Sequence, residues 1–347
     1  MTSFESATIG QLALHKVGNK YNEETVRLSN EPLSLQDEIE TLLLTYFTKP
    51  FKNTEYFTFY NEDGLDHNPV YQAVKTIFED PATLFGQSET MANLLYEQSV
   101  HPNIKGGDFF VVYFCDCVVD GEVTDAIGLF KSESKDTFLK IYPENENFGI
   151  ASDKGININK LDKGCLVFNT EADKGFMVSV VDTISKGNEA VYWVDDFLGV
   201  LQREDNYFYT NQAITLCKDF VTKKLPQEFE IGKADQADML NRSAQYFKEN
   251  ESFNVESYAA DVIQHAEVMD SFKNFTQDYA EENQVPFQGN FEINPSAVKK
   301  QSKQFKSVIK LDKNFHVYVH GNRDRIVKGY DEDRGMHFYQ LFFEEEN

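Results

Sequence analysis

The sequence predicts an α+β fold with a mostly antiparallel sheet, a helical middle region and a small C-terminal helix-plus-sheet unit. Short β-rich segments follow one another between residues 108 and 183 and leave no room for the crossover helices that a parallel sheet needs. A helical period returns from Glu189 onward, and a Pro- and Gly-containing segment near residue 285 precedes a short helix and alternating strands. We therefore predict domains at residues 1–188, 189–284 and 285–347.

The N-terminal part is predicted to open with a β-hairpin and to continue with three helices. TIGQLALHKV and ETVRLSN flank the turn-like GNK, a pattern typical of a hairpin. Apolar residues between Ile39 and Phe47 then recur at helical spacing, and Pro50 ends that helix. Two further helices are predicted, from Pro69 to Glu79 and from Phe85 to Val100.

Six segments rich in β-branched and aromatic residues predict an antiparallel meander that forms the main core. They are DFFVVYFCDCVV, TDAIGLFKS, DTFLKIYP, KGININ, GCLVFN and GFMVSVVDT. Cys115 and Cys117 are two residues apart on the first segment, so we expect them on one face of the sheet. No CxxC or His-rich motif accompanies them, and we predict no metal site. All four cysteines are interpreted as reduced core residues.

The middle region and the C-terminal part are predicted from the change of period. Helical segments run through VYWVDDFLGV and then cover residues 206–224, 233–250, 255–265 and 267–283. A short helix, NPSAVKKQSKQF, follows with Asn294 or Ser296 as its cap and Pro295 in its first turn. The strands SVIKLD, HVYVHG, RIVKGY and MHFYQLFF complete the unit, the last two joined by the turn-like DEDRG.

Composition narrows the classes of function. The net charge of −24 argues against a surface that coats DNA generally, since phosphate binding needs cations. The sequence has no run of 18 apolar residues and no secretion signal at its N-terminus, so a cytoplasmic protein is expected.

Motifs of catalysis are absent from the sequence. GxxxxGK[ST], GxSxG, HExxH and a GxGxxG after a strand do not occur, so we predict no enzymatic activity, no catalytic residues and no cofactor. His15 is interpreted as a hydrogen-bonded structural residue rather than a general base. Asp195 and Asp196 are adjacent and point about 100° apart on a helix, which makes a poor paired-carboxylate site.

One segment, residues 297–328, has the opposite charge to the rest of the chain, and we call it the basic segment. It holds nine cations against Asp312 and Asp324, a balance of +7, which leaves −31 on the remaining residues. The nine cations are Lys299, Lys300, Lys303, Lys306, Lys310, Lys313, Arg323, Arg325 and Lys328. Any contact with DNA is therefore expected to be local. The residues predicted to bind DNA are Lys299, Lys300, Lys303, Lys306, Arg323 and Arg325.

The spacing of the first four lysines permits two interpretations. On a helix they fall within an arc of about 120°, opposite Val298 and Phe305. This pattern is typical of an ordinary amphipathic surface helix and equally of a phosphate-binding face. Lysines contact the DNA backbone as point charges rather than reading bases, so no sequence specificity is predicted.

Five segments, in order, resemble the bacterial nucleoid-associated protein family of the long, non-histone-like type. They are IGQLALHKV, GGDFFVVYF, GININKLD, YWVDDFLGV and SVIKLDKNF, and the resemblance extends from about Ile9 to Tyr339. It implies association with DNA or with DNA-handling enzymes in the nucleoid, and it brings no catalytic motif.

Two hypotheses follow. In the first, the C-terminal unit binds DNA weakly and without sequence specificity, while the acidic remainder faces away or recruits proteins. In the second, the chain is an acidic adaptor that binds a basic DNA-handling enzyme, such as a topoisomerase, without touching DNA. Either protein could form a homodimer, and no membrane partner is expected.

Overall fold

The computed structural model describes residues 2–51, 55–119, 121–183, 192–282, 289–305, 308–312, 314–319 and 323–345. The chain divides into two compact units, Met1–Arg203 and Glu204–Asn347. The boundaries predicted at residues 188 and 284 lie outside the described residues, so the three-part division stays a prediction. No helix in the described ranges is long and apolar enough to cross a membrane.

The α+β class is confirmed, and the first unit contains the main sheet. Its strands are β1 (Thr8–Val17), β2 (Phe57–Phe59), β3 (Gly107–Val119), β4 (Glu122–Ser132), β5 (Asp136–Glu144), β6 (Asn147–Gly155), β7 (Lys163–Phe168), β8 (Met177–Asp182) and β9 (Val200–Gln202). Seven of them form one sheet in the order β1-β3-β4-β7-β8-β2-β9, while β5 and β6 pair with each other. All of these pairings are antiparallel.

Two expectations about strands were wrong. The predicted opening hairpin is replaced by pairing of β1 with β3 along its length, and the ETVRLSN segment contributes only a bridge between Lys16 and Arg27. The KGININ segment is the end of β6 followed by a turn, in which the Asn159 N–H donates to the Asn157 side chain at 2.9 Å. Asn is favoured in such turns because its side chain substitutes for a backbone acceptor.

Helices cover both faces of the main sheet. They are α1 (Asp37–Thr48), α2 (Pro69–Glu79) and α3 (Leu84–Gln98). Helices α2 and α3 bury their apolar stripes on one face together with a π-helical turn at Tyr192–Leu198, and α1 covers the other face with Phe47 and Tyr46. The α2 boundaries agree with the prediction, because Asn68 caps the helix and Pro69 occupies its first position.

A β-bulge in β3 separates two cysteines that were expected on one face. Asp116 has a positive φ of 57°, and the pairing with β4 shifts between Phe114 and Cys117. Cys115 therefore packs toward the α2–α3 face, while Cys117 is buried on the α1 face. The expectation was wrong because a bulge inserts one residue and reverses the alternation of side chains beyond it.

The second unit begins with helices and ends with hairpins. Its helices are α4 (Asn206–Asp219), α5 (Leu225–Glu228), α6 (Lys233–Glu249), α7 (Val255–Tyr258), α8 (Ala266–Glu282) and α9 (Pro295–Gln301). Its strands are β10 (Ser252–Asn254), β11 (Asn290–Glu292), β12 (Val308–Leu311), β13 (Phe315–Tyr318), β14 (Ile326–Asp331) and β15 (Met336–Leu341). They pair as β10–β11, β12–β13 and β14–β15.

Aromatic residues from several of these helices build the core of the second unit. Phe220 packs edge-on against Phe272 at a centroid distance of 5.0 Å, and Phe247 stacks on Phe253 at 5.5 Å. Tyr258, which is fully buried, contacts both Phe253 and Phe272. This core holds the helix that carries the first lysines of the basic segment.

Candidate nucleic-acid interface

Helix α9 is fixed by its cap and by its apolar side. The Asn294 side chain accepts hydrogen bonds from the N–H groups of Ser296 and Ala297 at 3.0 and 3.2 Å, so Asn294 is the cap. Ala297 is fully buried, and Val298 packs against the core of the second unit. A 3₁₀ turn at Ser302–Phe305 continues the helix and places the Phe305 ring 5.9 Å from that of Phe247.

Two lysines predicted to bind DNA lie side by side in the last turn of α9. Lys299 and Lys300 are both exposed, and the ammonium of Lys300 lies 5.6 Å from the centre of the Tyr207 ring. The C-terminal turn of a helix favours cations, because its carbonyl groups carry partial negative charge. The side chain of Lys303 and all of Lys306 and Lys313 lie outside the described residues.

The remaining described cations of the basic segment lie on the hairpins. Lys310 on β12 and Lys328 on β14 are exposed. Arg325 ends a short 3₁₀ turn at Arg323–Arg325 and forms an ion pair with the Glu344 carboxylate at 2.6 Å. The side chain of Arg323 is outside the described part of the chain. Arg325 must exchange one anion for another to contact a phosphate, whereas Lys310 and Lys328 form no ion pair with the described residues.

Helix α6 packs against both parts of the basic segment. It contacts α9 and also β12 and the turn before β14. Ala234 and Ala237 of α6 form a small core with Ile309, Val319 and Ile326. The Asn241 side chain donates a hydrogen bond to the carbonyl of Val319 at 3.0 Å. One rigid helix therefore positions α9 and the hairpins that follow it.

A groove of about 960 Å³ runs beside α9. Phe247, Val298 and Phe305 form apolar walls, while Lys248 and Lys299 lie at its polar margin. Three carboxylates also line it, those of Glu249, Glu251 and Glu292. These carboxylates disfavour an anion inside the groove.

A cluster of buried charges in the first unit was not predicted from the sequence. Lys131 on β4 lies directly opposite Lys163 on β7, and their side chains are 0% and 1% exposed. The Lys131 ammonium lies 3.1 Å from Glu133, and the Lys163 ammonium lies 2.7 Å from Asp182. Side chains two residues apart on a strand lie on the same face, so the apolar Leu129 was a signal that Lys131 also points inward.

The ring of Tyr192 covers both ammonium groups. Its centre lies 5.3 Å from the nitrogen of Lys131 and 5.1 Å from that of Lys163. The Tyr192 hydroxyl donates to Glu133 at 2.7 Å and accepts from Lys131 at 3.2 Å. Burial lowers the pKa of Lys131, and the Glu133 carboxylate opposes that shift. Burial, followed by the charge of Glu133, raises the pKa of Tyr192.

This cluster lies at the wall of a polar cavity of about 610 Å³. Lys163, Tyr192 and Glu133 line it, together with Glu24 and Lys105. Each buried ammonium already has a carboxylate partner, so the cluster is balanced in charge. Its arrangement is that of a structural ion-pair network that joins the ends of β4, β7 and β8 to Tyr192.

A known family matches most of the sequence, including both charged regions. Residues 13–335 match the family described as nucleoid-associated protein YejK. The chain belongs to this family. The match includes the buried lysines and all of the basic segment, and it confirms the resemblance predicted from the five segments. No curated protein matches the sequence at a significant level.

Membership of the family establishes the general kind of function. The family is one of bacterial nucleoid-associated proteins and is generally non-enzymatic. It is associated with the nucleoid of the cytoplasm.

His15 has the structural role predicted for it. It is buried, its Nδ1 accepts from the Ser29 N–H at 3.2 Å, and its Nε2 lies 2.8 Å from the Ser88 hydroxyl. Because Nδ1 is an acceptor, the proton of the neutral ring is on Nε2, which donates to Ser88. Burial lowers the pKa of His15.

Burial also shifts the pKa values of a carboxyl group and of buried thiols in the first unit. Burial, and to a lesser degree the charge of Asp196, raises the pKa of Asp195 in the π-helical turn. The four thiols are free, and burial raises the pKa of Cys117 to about 12. Within the described ranges, no group of three or more His, Cys, Asp or Glu side chains is placed to hold a metal ion.

Proposed function

We propose that the protein binds duplex DNA without sequence preference, through phosphate contacts made by the basic segment. The observation that carries this proposal is the exposed pair Lys299 and Lys300 on α9, a helix anchored by its cap at Asn294 and by buried Ala297. Lysine ammonium groups neutralise phosphates without reading bases. The −31 carried by the rest of the sequence limits favourable contact to this segment, so binding is weak and local.

Salt dependence provides the measurement. Each neutralised phosphate contributes about −0.9 to the slope of log affinity against log salt. Contacts from Lys299, Lys300, Lys303 and Lys306 give a slope of about −3 to −4. The double variant Lys299→Gln/Lys300→Gln should flatten the slope by about 1.8 and weaken binding equally for unrelated duplexes. Fluorescence anisotropy of a labelled duplex over a salt series measures both effects.

A matched control is available in the first unit. Lys160 and Lys174 are exposed there, and their change to Gln removes the same total charge. The control variant should retain the slope of the parent protein, because long-range charge alone does not release phosphate counterions. Equal binding by the Lys299/Lys300 variant and the parent would exclude this helix as a DNA contact.

The second candidate function is that of an acidic adaptor, and it is favoured by the same −31 of charge outside the basic segment. In that case a basic surface of a DNA-handling enzyme, such as a topoisomerase, is the partner, and association is again weakened by salt. Absence of DNA binding by the parent protein at low salt would support the adaptor and contradict direct contact.

A further inference from the structure

The β5–β6 hairpin is separate from the main sheet. Its two strands pair only with each other among the described residues, in a continuous register from Asp136↔Gly155 to Glu144↔Asn147. Every residue of β5 is exposed, and so is most of β6. A two-stranded hairpin is at best marginally stable alone in water. This hairpin therefore requires further contacts to keep its long regular pairing.

One face of the hairpin is covered by its own aromatic rings. Tyr142 lies across from Gly149, and Phe138 lies near Gly155. A Cβ added at Gly149 would lie 2.6 Å from the Tyr142 ring, so the ring occupies the space that a side chain would need. Aromatic rings over glycines stabilise strand pairs in this way. Lys140 lies between the two rings in sequence and gives this face a charge.

The opposite face is apolar and uncovered, and we call it the apolar face. Ile141 pairs with Ile150, and Pro143 pairs with Phe148, so these side chains lie together with Leu139. Leu139, Ile141, Ile150 and Phe148 are 71%, 70%, 68% and 77% exposed. None of the five residues carries a charge or a side-chain hydrogen-bonding group. A patch of this kind on a protein surface marks an interaction site.

We propose that the apolar face packs against the same face of a second copy of the chain, forming a symmetric dimer. The four large side chains expose an area on the order of 500 Å² per chain, or about 1,000 Å² for two copies, which reaches the lower limit of specific interfaces. A two-fold axis brings the apolar faces of the two copies together, so apolar side chains contact apolar side chains. The five residues of the apolar face offer no charge or side-chain hydrogen-bonding group with which to select a different partner, and the polar Ser152, Thr137 and Lys154 lie at one end of the same side of the hairpin.

Charge sets the salt dependence of this dimer. Each chain carries −24, so two copies repel one another, and added salt screens that repulsion. Dimerisation should therefore strengthen with salt, whereas DNA binding weakens with salt. The opposite salt dependence distinguishes dimerisation from DNA binding, and a negative result for one proposal does not contradict the other.

Sedimentation velocity over a range of protein and salt concentrations tests the proposal. The parent should be a dimer at high concentration. The variant Ile141→Thr/Ile150→Thr should raise the dissociation constant by at least about tenfold, since apolar burial is lost in both copies. Thr retains the β-branched shape that strands favour, so the hairpin is kept. The control Val123→Thr changes a side chain on β4 that is 69% exposed and should leave the dimer intact.

Hydrogen exchange of residues 136–155 provides a second readout. Their amides should become more protected as the parent dimerises, and the double variant should lose that concentration dependence. A parent that stays monomeric at every concentration overturns the proposal. So does a dimer that is unchanged in the double variant, or one that the Val123→Thr control weakens equally.

Discussion

The change Glu133→Gln tests the buried charge cluster. The Lys131 ammonium lies 3.1 Å from the Glu133 carboxylate, 3.2 Å from the Tyr192 hydroxyl and 2.9 Å from the carbonyl of Lys105. The side chains of Lys131 and Glu133 are 0% and 4% exposed. Glutamine preserves the size of the side chain but removes its charge, so Lys131 is left as an ammonium without its carboxylate.

The expected loss of stability follows from two limits. Removal of one partner of a buried ion pair destabilises a protein by about 3–5 kcal/mol. Lys131 can instead release its proton, and from its ordinary pKa of 10.5 this costs about 5 kcal/mol at neutral pH. The cost of deprotonating Lys131 is the upper limit of the loss of stability. The ammonium of Lys163 on the opposite strand repels that of Lys131, so the loss should be close to this limit. We expect the free energy of unfolding of the first unit to fall by about 3–5 kcal/mol.

The loss should shrink at alkaline pH. The folded pKa of Lys131 is lowered, so between that pKa and 10.5 the unfolded chain binds more protons than the folded one. Stability therefore rises with pH through this window, by up to about 1.4 kcal/mol per pH unit. The variant should show this rise over a wider pH range than the parent, because loss of Glu133 lowers the pKa of Lys131 further.

Fluorescence of the single tryptophan provides the assay. Trp193 is fully buried beside Tyr192 and packs on Phe197, so its emission reports unfolding of the first unit. Urea titrations at neutral and alkaline pH then give the free energy of unfolding. The double variant Lys131→Met/Glu133→Gln should recover much of the loss, because it removes the unpaired charge.

Two results would refute the reasoning about the cluster. One is a Glu133→Gln variant within about 0.5 kcal/mol of the parent, the range of ordinary surface substitutions. The other is a double variant no more stable than the single one. Glu122→Gln, at an exposed position at the start of β4, is the matched control and should have no effect.

Two further predictions concern the same unit and use the same fluorescence assay. The free energy of unfolding should fall as pH decreases below 6.5, because burial lowers the pKa of His15 and its protonated Nδ1 would face the Ser29 N–H. A His15→Gln variant should show a flatter pH profile, and an unchanged profile would contradict the role of His15. Phe47→Ala should reduce the free energy of unfolding by about 3–5 kcal/mol, since the ring is fully buried and its centre lies 4.2 Å from that of the stacked Phe130 ring. Tyr21→Ala, at a site that is 62% exposed, is the control, and equal losses in both variants would contradict the argument.

Much of the secondary structure could be predicted, because it depends on local patterns. Segments rich in β-branched and aromatic residues identified β3, β4, β5, β7 and β8, and the helix predicted from Pro69 to Glu79 is α2. The sequence also predicted the apolar side of α9 and offered Asn294 or Ser296 as its cap, and the structure shows that Asn294 is the cap. Side-chain periodicity and capping act within a few residues, so a sequence displays them directly.

The candidate site was only partly accessible to the same reasoning. The +7 of the basic segment is a count of residues and needs no structure. The ion pair of Arg325 with Glu344 was not predicted, because the carboxylate lies on the tail that follows β15. The assignment of Lys299, Lys300, Lys303, Lys306, Arg323 and Arg325 to DNA binding stays a prediction.

The sequence by itself determined the α+β class, the family and the separation of one basic segment from an acidic chain. Only the tertiary structure decided which strands pair. It set Lys131 opposite Lys163, replaced the opening hairpin with β1–β3 pairing, and left the β5–β6 hairpin with an uncovered apolar face. The reason is physical: residue types fix the local period and the charge, whereas strand register is set by packing between segments far apart in the chain, and a single bulge such as that at Asp116 reverses which face a side chain occupies.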